Sequence, residues 1–86
     1  MIYKEMTIAD PNGLKSRVAA NFVQVAGKFE SQILIECENK KINAKSIMGV
    51  LSLGIKQGES VYVIANGKDE AEAIDALAAA AEAIIE

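Results

Sequence analysis

The chain has 86 residues, a formal net charge of −3, no histidine, no tryptophan and one cysteine. That length fits one small domain, read as residues 1–86, and the 51% hydrophobic content supplies one core built mainly from small aliphatic side chains. The acidic balance argues against sequence-independent binding of nucleic acid. The missing histidine removes the commonest metal ligand and proton shuttle, and a lone Cys37 forms no internal disulfide or metal cluster.

Residues 2–8 alternate, with Ile2, Met6 and Ile8 on one parity and Tyr3, Glu5 and Thr7 on the other, which predicts a half-buried strand with Lys4 as the exception. Asp10-Pro11-Asn12-Gly13 ends it as a turn. From Ser16, the expected N-cap, Val18, Ala19, Phe22, Val23, Ala26 and Phe29 follow a helical period. Ile33, Ile35 and Cys37 alternate in a second strand, Glu38-Asn39-Lys40 turns, and Lys41-Ile42-Asn43 returns as a third.

Ser46 heads a short helix carrying Ile47, Met48, Val50, Leu51 and Leu53 before Gly54. After a turn at 57–59, Val61, Val63 and Ala65 alternate with Tyr62 and Ile64 in a fourth strand, expected to be buried on much of both faces. Asp69 with Glu72 predicts a capping box, followed by a helix with Ile74, Leu77, Ala78, Ala81, Ile84 and Ile85 on one stripe. The order βαββαβα predicts an α+β fold whose four-stranded antiparallel sheet carries the three helices on one face.

Little in this inventory supports catalysis. A nucleophilic Ser or Cys needs an adjacent base, and no histidine can serve; no carboxylate pair stands out as an acid–base dyad, and the glycines form no phosphate-binding loop. No metal or cofactor is therefore expected. MIYKEMTIAD is broken by charge too early for a secretory signal, and Glu72, Asp75 and Glu82 interrupt the alanine-rich C-terminal segment, so no membrane span is expected and the natural compartment is the cytoplasm.

Two places invite function. Lys15 and Arg17 put cations at a helix start, where the dipole disfavours them by about 0.3–1 kcal/mol each. They read either as solvated side chains or, with free backbone N–H groups, as an anion site. Ser46 reads as an N-cap and also as a phosphorylation site, because a phosphate at a helix start meets favourable dipoles. A helix this short cannot bury Ile47, Met48, Val50, Leu51 and Leu53 on one side, so some should form an exposed partner surface.

NAKSIMGVLSLGIKQG, residues 43–58, resembles the regulatory serine segment of Gram-positive HPr proteins, the small phosphocarriers of the sugar phosphotransferase system. GLKSRVAANFVQVAGKFES and GKDEAEAIDAL resemble the family's first and last helices, so the resemblance covers essentially the whole chain and implies the family's HPr-like open-faced β-sandwich. The family's phosphocarrier motif is of the form G-[IL]-H-A-R-P; here it is Gly13-Leu14-Lys15-Ser16-Arg17-Val18, with lysine for the histidine and valine for the proline. A carrier needs a neutral nitrogen nucleophile near pH 7, whereas a lysine, with an ordinary pKa of about 10.4, is nearly all ammonium.

The pattern is similar to the histidine-less, Crh-like branch of the family. That resemblance implies a non-catalytic protein phosphorylated on Ser46 by HPr kinase/phosphorylase and acting as corepressor of a LacI-type catabolite control regulator, without direct contact to nucleic acid. It implies Ile47, Met48 and Leu51 as the docking surface and Arg17 near the phosphate. Lys15 inherits no family role and is read as added positive charge. The alternatives are a phosphocarrier using another residue and an interaction module that is never phosphorylated. Either a monomer or a strand-swapped dimer fits an exposed first strand.

Overall fold

A computed structural model describes residues 1–83 and, at Ser16, the backbone alone. The elements are β1 (Ile2–Thr7), α1 (Ser16–Gly27), β2 (Gln32–Cys37), β3 (Lys40–Asn43), α2 (Ile47–Ser52), β4 (Ser60–Asn66) and α3 (Glu70–Glu82). The strands form one antiparallel sheet in the order β1-β4-β2-β3, which leaves β1 and β3 at the edges. The βαββαβα order and the open-faced sheet with helices on one side agree with the sequence reading.

Period-2 patterning explains the two faces. Met6, Ile33, Ile35, Val61, Val63 and Ala65 point into the core, where they meet Val18, Ala19, Phe22 and Ala26 of α1 and Ala73, Ile74 and Leu77 of α3. The opposite parity forms the open face. Its register sets Tyr3, Ile64, Leu34 and Asn43 in one row and Glu5, Tyr62, Glu36 and Lys41 in the next. The expectation that β4 is buried on both faces is half right: Ile64 is covered, but Tyr62 is exposed. Ile84 and Ile85, assigned to the last apolar stripe, lie outside the described residues.

Three local expectations are corrected. Lys15, with extended backbone, takes the N-cap place of α1, and Ser16 is the first helical residue instead of the cap. β3 begins at Lys40, one residue earlier than read, because Glu38 and Asn39 adopt positive φ (49° and 69°) and complete the reversal by themselves. Asp69 does not close a capping box with Glu72: its side chain makes no bond to its own helix.

The Asp69 carboxylate instead reaches across to the junction between α1 and β2. It accepts hydrogen bonds from Glu30 N (2.9 Å), Ser31 N (3.0 Å) and the Ser31 hydroxyl. A carboxylate has lone pairs for several donors, and the three that converge on it here satisfy more of them than a single cap bond would. Gly67 allows the close approach, since a Cβ there would stand 2.7 Å from Ser31 Cα. The Ser31 hydroxyl and the Glu30 N–H together hold the Asp69 carboxyl below its ordinary pKa.

A group whose pKa is lower in the folded state contributes stability above its unfolded value, about 3.9, and loses that contribution as pH falls through the folded value. Asp69→Ala should therefore lower the urea midpoint at pH 7. The gap from the parent should narrow as pH falls below about 4, reaching its minimum below the folded pKa of Asp69. Urea titrations followed by circular dichroism from pH 7 to pH 2.5 measure this; a gap independent of pH would contradict it.

Candidate functional site: the Ser46 helix and the start of α1

The segment leading to Ser46 is held by side chains as well as backbone. Asn43 Oδ1 accepts from Lys45 N (2.8 Å), and Asn43 O accepts from Ser46 N (3.0 Å), closing a tight turn. Lys45 Nζ donates to Phe29 O (2.7 Å), just beyond the end of α1. Ser46 is then the N-cap of α2, in extended conformation, with its Oγ accepting from Gly49 N at 3.2 Å. The predicted cap is therefore present.

Gly49 keeps the surroundings of that hydroxyl open, because a Cβ at this position would come to 3.4 Å from Ser46 Oγ. The cap uses a lone pair of Oγ and makes no demand on the hydroxyl proton.

α2 has fewer than two turns, so only part of its apolar surface reaches the core. Val50 is buried, whereas Ile47, Met48 and Leu51 are 38%, 74% and 39% exposed. These three are the predicted docking residues, and they stand immediately beside Ser46. Exposed methionine and branched aliphatics on a rigid turn have the composition of a protein-contact patch.

Lys15 and Arg17 are both exposed at the start of α1, which carries no acidic residue in its first turn. Their position relative to Ser46 follows from two ties. Leu14 N donates to Ile55 O (3.0 Å), and Gly13, at φ +69°, packs so closely on Ile55 that a Cβ would meet its carbonyl oxygen. The start of α1 thus lies beside the exit of α2, while the Lys45 bond ties the start of α2 to the end of α1. These two ties hold α1 and α2 against each other on the same side of the sheet.

Cys37 lies on the other side of the sheet end, half-buried. Burial first, then the charges of Glu38 and Glu59, push its thiol above the ordinary value, which disfavours the thiolate. Among the described residues no group of three or more His, Cys, Asp or Glu gathers to hold a metal, and no helix is long and apolar enough to cross a membrane.

The sequence reading missed one constellation. On the open face Tyr3 and Tyr62 stack, with ring centroids 4.8 Å apart and planes 20° from parallel, and Tyr3 OH donates to Glu36 Oε1 (3.1 Å). Partial desolvation and the Glu36 carboxylate raise the Tyr3 phenol above its ordinary pKa. The alternation of β1 and β4 places each tyrosine on the open parity, but only the register reveals that they meet.

With this geometry in hand, the comparisons are consistent. Residues 2–83 match the family model described as the PTS HPr component phosphorylation site, and the chain belongs to this PTS-HPr family. It is 48% identical over 79 residues to the HPr-like protein Crh of Halalkalibacterium halodurans, covering 92% of this chain and 94% of that protein.

Among solved structures, HPr-C-His from Thermoanaerobacter tengcongensis superposes with a TM-score of 0.92 at 52% identity, covering 95% of this chain and 92% of its own. The domain-swapped dimer of the catabolite-repression protein Crh from Bacillus subtilis superposes at 0.77 with 42% identity, covering 100% and 99%. The chain is thus an HPr-fold protein with Crh-like relatives.

The N-cap bond gives a direct expectation. Ser46→Ala should cost about 1 kcal/mol of stability, within a range of about 0.5–2, while Ser46→Asp, which caps equally well, should recover most of it. Equilibrium urea unfolding of the three proteins makes the comparison.

Proposed function

We propose that this chain is a non-catalytic regulatory member of the HPr family whose signal is phosphorylation of Ser46 by an HPr kinase/phosphorylase. In its phosphorylated form it acts in the cytoplasm as corepressor of a LacI-type catabolite control regulator. The observation that carries this reading is the placement of the Ser46 hydroxyl at the start of α2, beside exposed Ile47, Met48 and Leu51. Phosphate added there contributes about two negative charges at neutral pH without displacing a buried group. The apolar trio supplies contact area for both kinase and regulator, and the phosphate decides which complex forms.

Arg17 and Lys15 add positive charge to this surface from the start of α1. Arg17 offers a planar fork of donors suited to a phosphate or to carboxylates of the regulator. Lys15 keeps that end cationic where the family motif has its carrier imidazole. The same exchange removes the neutral nitrogen that phosphoenolpyruvate-dependent transfer requires.

A second reading concerns assembly. β1 is an edge strand whose backbone ladder, among the described residues, runs to β4 alone, and it is followed by the turn at Asp10–Gly13, so it has the means to exchange with a second copy. The relative described above as a domain-swapped dimer supports that option.

Incubation with an HPr kinase and ATP should add one phosphate to the parent and none to Ser46→Ala, as read by intact mass. Incubation with phosphoenolpyruvate and the first enzyme of the phosphotransferase system should label neither protein. Undiminished kinase labelling of Ser46→Ala would remove the proposal, and phosphoenolpyruvate-dependent labelling would favour a carrier. Phosphorylation should also raise affinity for the regulator relative to unmodified protein; equal affinity in titration calorimetry would favour a constitutive interaction module.

A further inference from the structure

The open face of the sheet, remote from the helices, contains a shallow groove of about 400 Å³. Tyr3 and Tyr62 form one wall, and Glu36, Glu38, Asn39 and Glu59 contribute much of the rest; no lysine or arginine lines it. Both rings are solvent-accessible, Tyr3 at 55% and Tyr62 at 38%. Exposed stacked aromatics are costly to leave bare, and here they sit in a depression whose charged side chains are all carboxylates. Lys41, opposite Glu36 in the register, and Lys40 stand on the β3 side and bound the groove instead of filling it.

The chemistry of the lining selects the occupant. Three carboxylates call for a cation, and the ring faces call for one that is flat and weakly hydrated. A hard metal ion would need the acids gathered around one point, and no such group exists among the described residues. An ammonium would gain charge attraction but little from the rings. A guanidinium gains both, since it forks onto carboxylates and stacks on tyrosine. Glu36 spends one oxygen on Tyr3 OH, and Glu59 accepts from Lys56 N (2.7 Å) with Oε1. Each retains a second carboxylate oxygen for an incoming donor.

We propose that this groove is a second docking site, which receives an arginine-bearing segment of a partner protein on the sheet face opposite the Ser46 helix. It operates independently of phosphorylation at Ser46, because none of its residues belongs to α1 or α2. The chain therefore presents two binding surfaces, one cationic and apolar at the helices and one anionic and aromatic on the sheet.

The chain has two tyrosines and no tryptophan, and both tyrosines border the groove, so intrinsic tyrosine emission reports on this surface alone. Titration of the full chain with the blocked peptide acetyl-Arg-Gly-Arg-amide should give a saturable change in emission. Acetyl-Lys-Gly-Lys-amide at the same ionic strength should bind about two- to fivefold more weakly, the difference expected for an exposed cation–ring contact. Glu38→Gln/Glu59→Gln, which keeps both emitters, should weaken the arginine peptide by a similar factor or more. Tyr62→Phe should retain binding, reported by Tyr3, and Ser46→Ala and Ser46→Asp should match the parent. Far-UV circular dichroism confirms that each variant is folded. Absence of a saturable change would overturn the proposal, as would equal affinity for the two peptides that is untouched by the double glutamine variant.

Discussion

The Asp69 carboxylate is the interaction on which the rest of the arrangement depends. It joins the start of α3 to the α1–β2 junction at Glu30 and Ser31, so one charged group fixes the second half of the chain against the end of α1. β2 and β4 are the two inner strands, and their register is set close to this point, where Gln32 faces Asn66. From that anchor the open-face rows follow, and with them the meeting of Tyr62 with Tyr3 and of Tyr3 with Glu36. The short connection at Gly67 can pass beside Ser31 only because it carries no side chain.

A second constraint places the helices. Gly13 lies against the Ile55 carbonyl in a left-handed conformation, and the adjacent Leu14 N–H bonds to that same oxygen. The start of α1 is thereby pressed against the exit of α2, and α2 is left with one side in the core and the other in solvent. Its brevity then makes exposure unavoidable: Val50 takes the inner position, and Ile47, Met48 and Leu51 have nowhere to go but outward. The contact surface beside Ser46 is thus a product of helix length and orientation as much as of residue type.

What the sequence made legible was whatever local periodicity encodes. Alternation in β1, β2 and β4, the helical stripe of Val18, Ala19, Phe22 and Ala26, and the serine cap of α2 depend on neighbours within a turn or two. The failures share one cause. Asp69 and Glu72 have the spacing of a capping box, but Ser31, 38 residues away, offers the carboxylate better donors. Ser16 is a good cap type, but Gly13 and Leu14 fix the chain path so that Lys15 takes the place. The tyrosine groove assembles from β1, the β2–β3 reversal and β4, and its charge signature is invisible until the strand order is known.

The Ser46 hydroxyl, a cap in the structure and the phosphate acceptor of the proposal, bears on how the position would drift over time. If the proposal holds, the residue is under two separate pressures, capping and phosphorylation, and the first operates without any kinase. A lineage that lost the modifying enzyme would still disfavour alanine there, while tolerating aspartate, asparagine or threonine as fellow caps. Persistence of a cap-type residue at this site therefore records the needs of a six-residue helix. The mark of continued signalling is narrower: a hydroxyl in particular, together with an uncovered Met48 that the helix itself does not require.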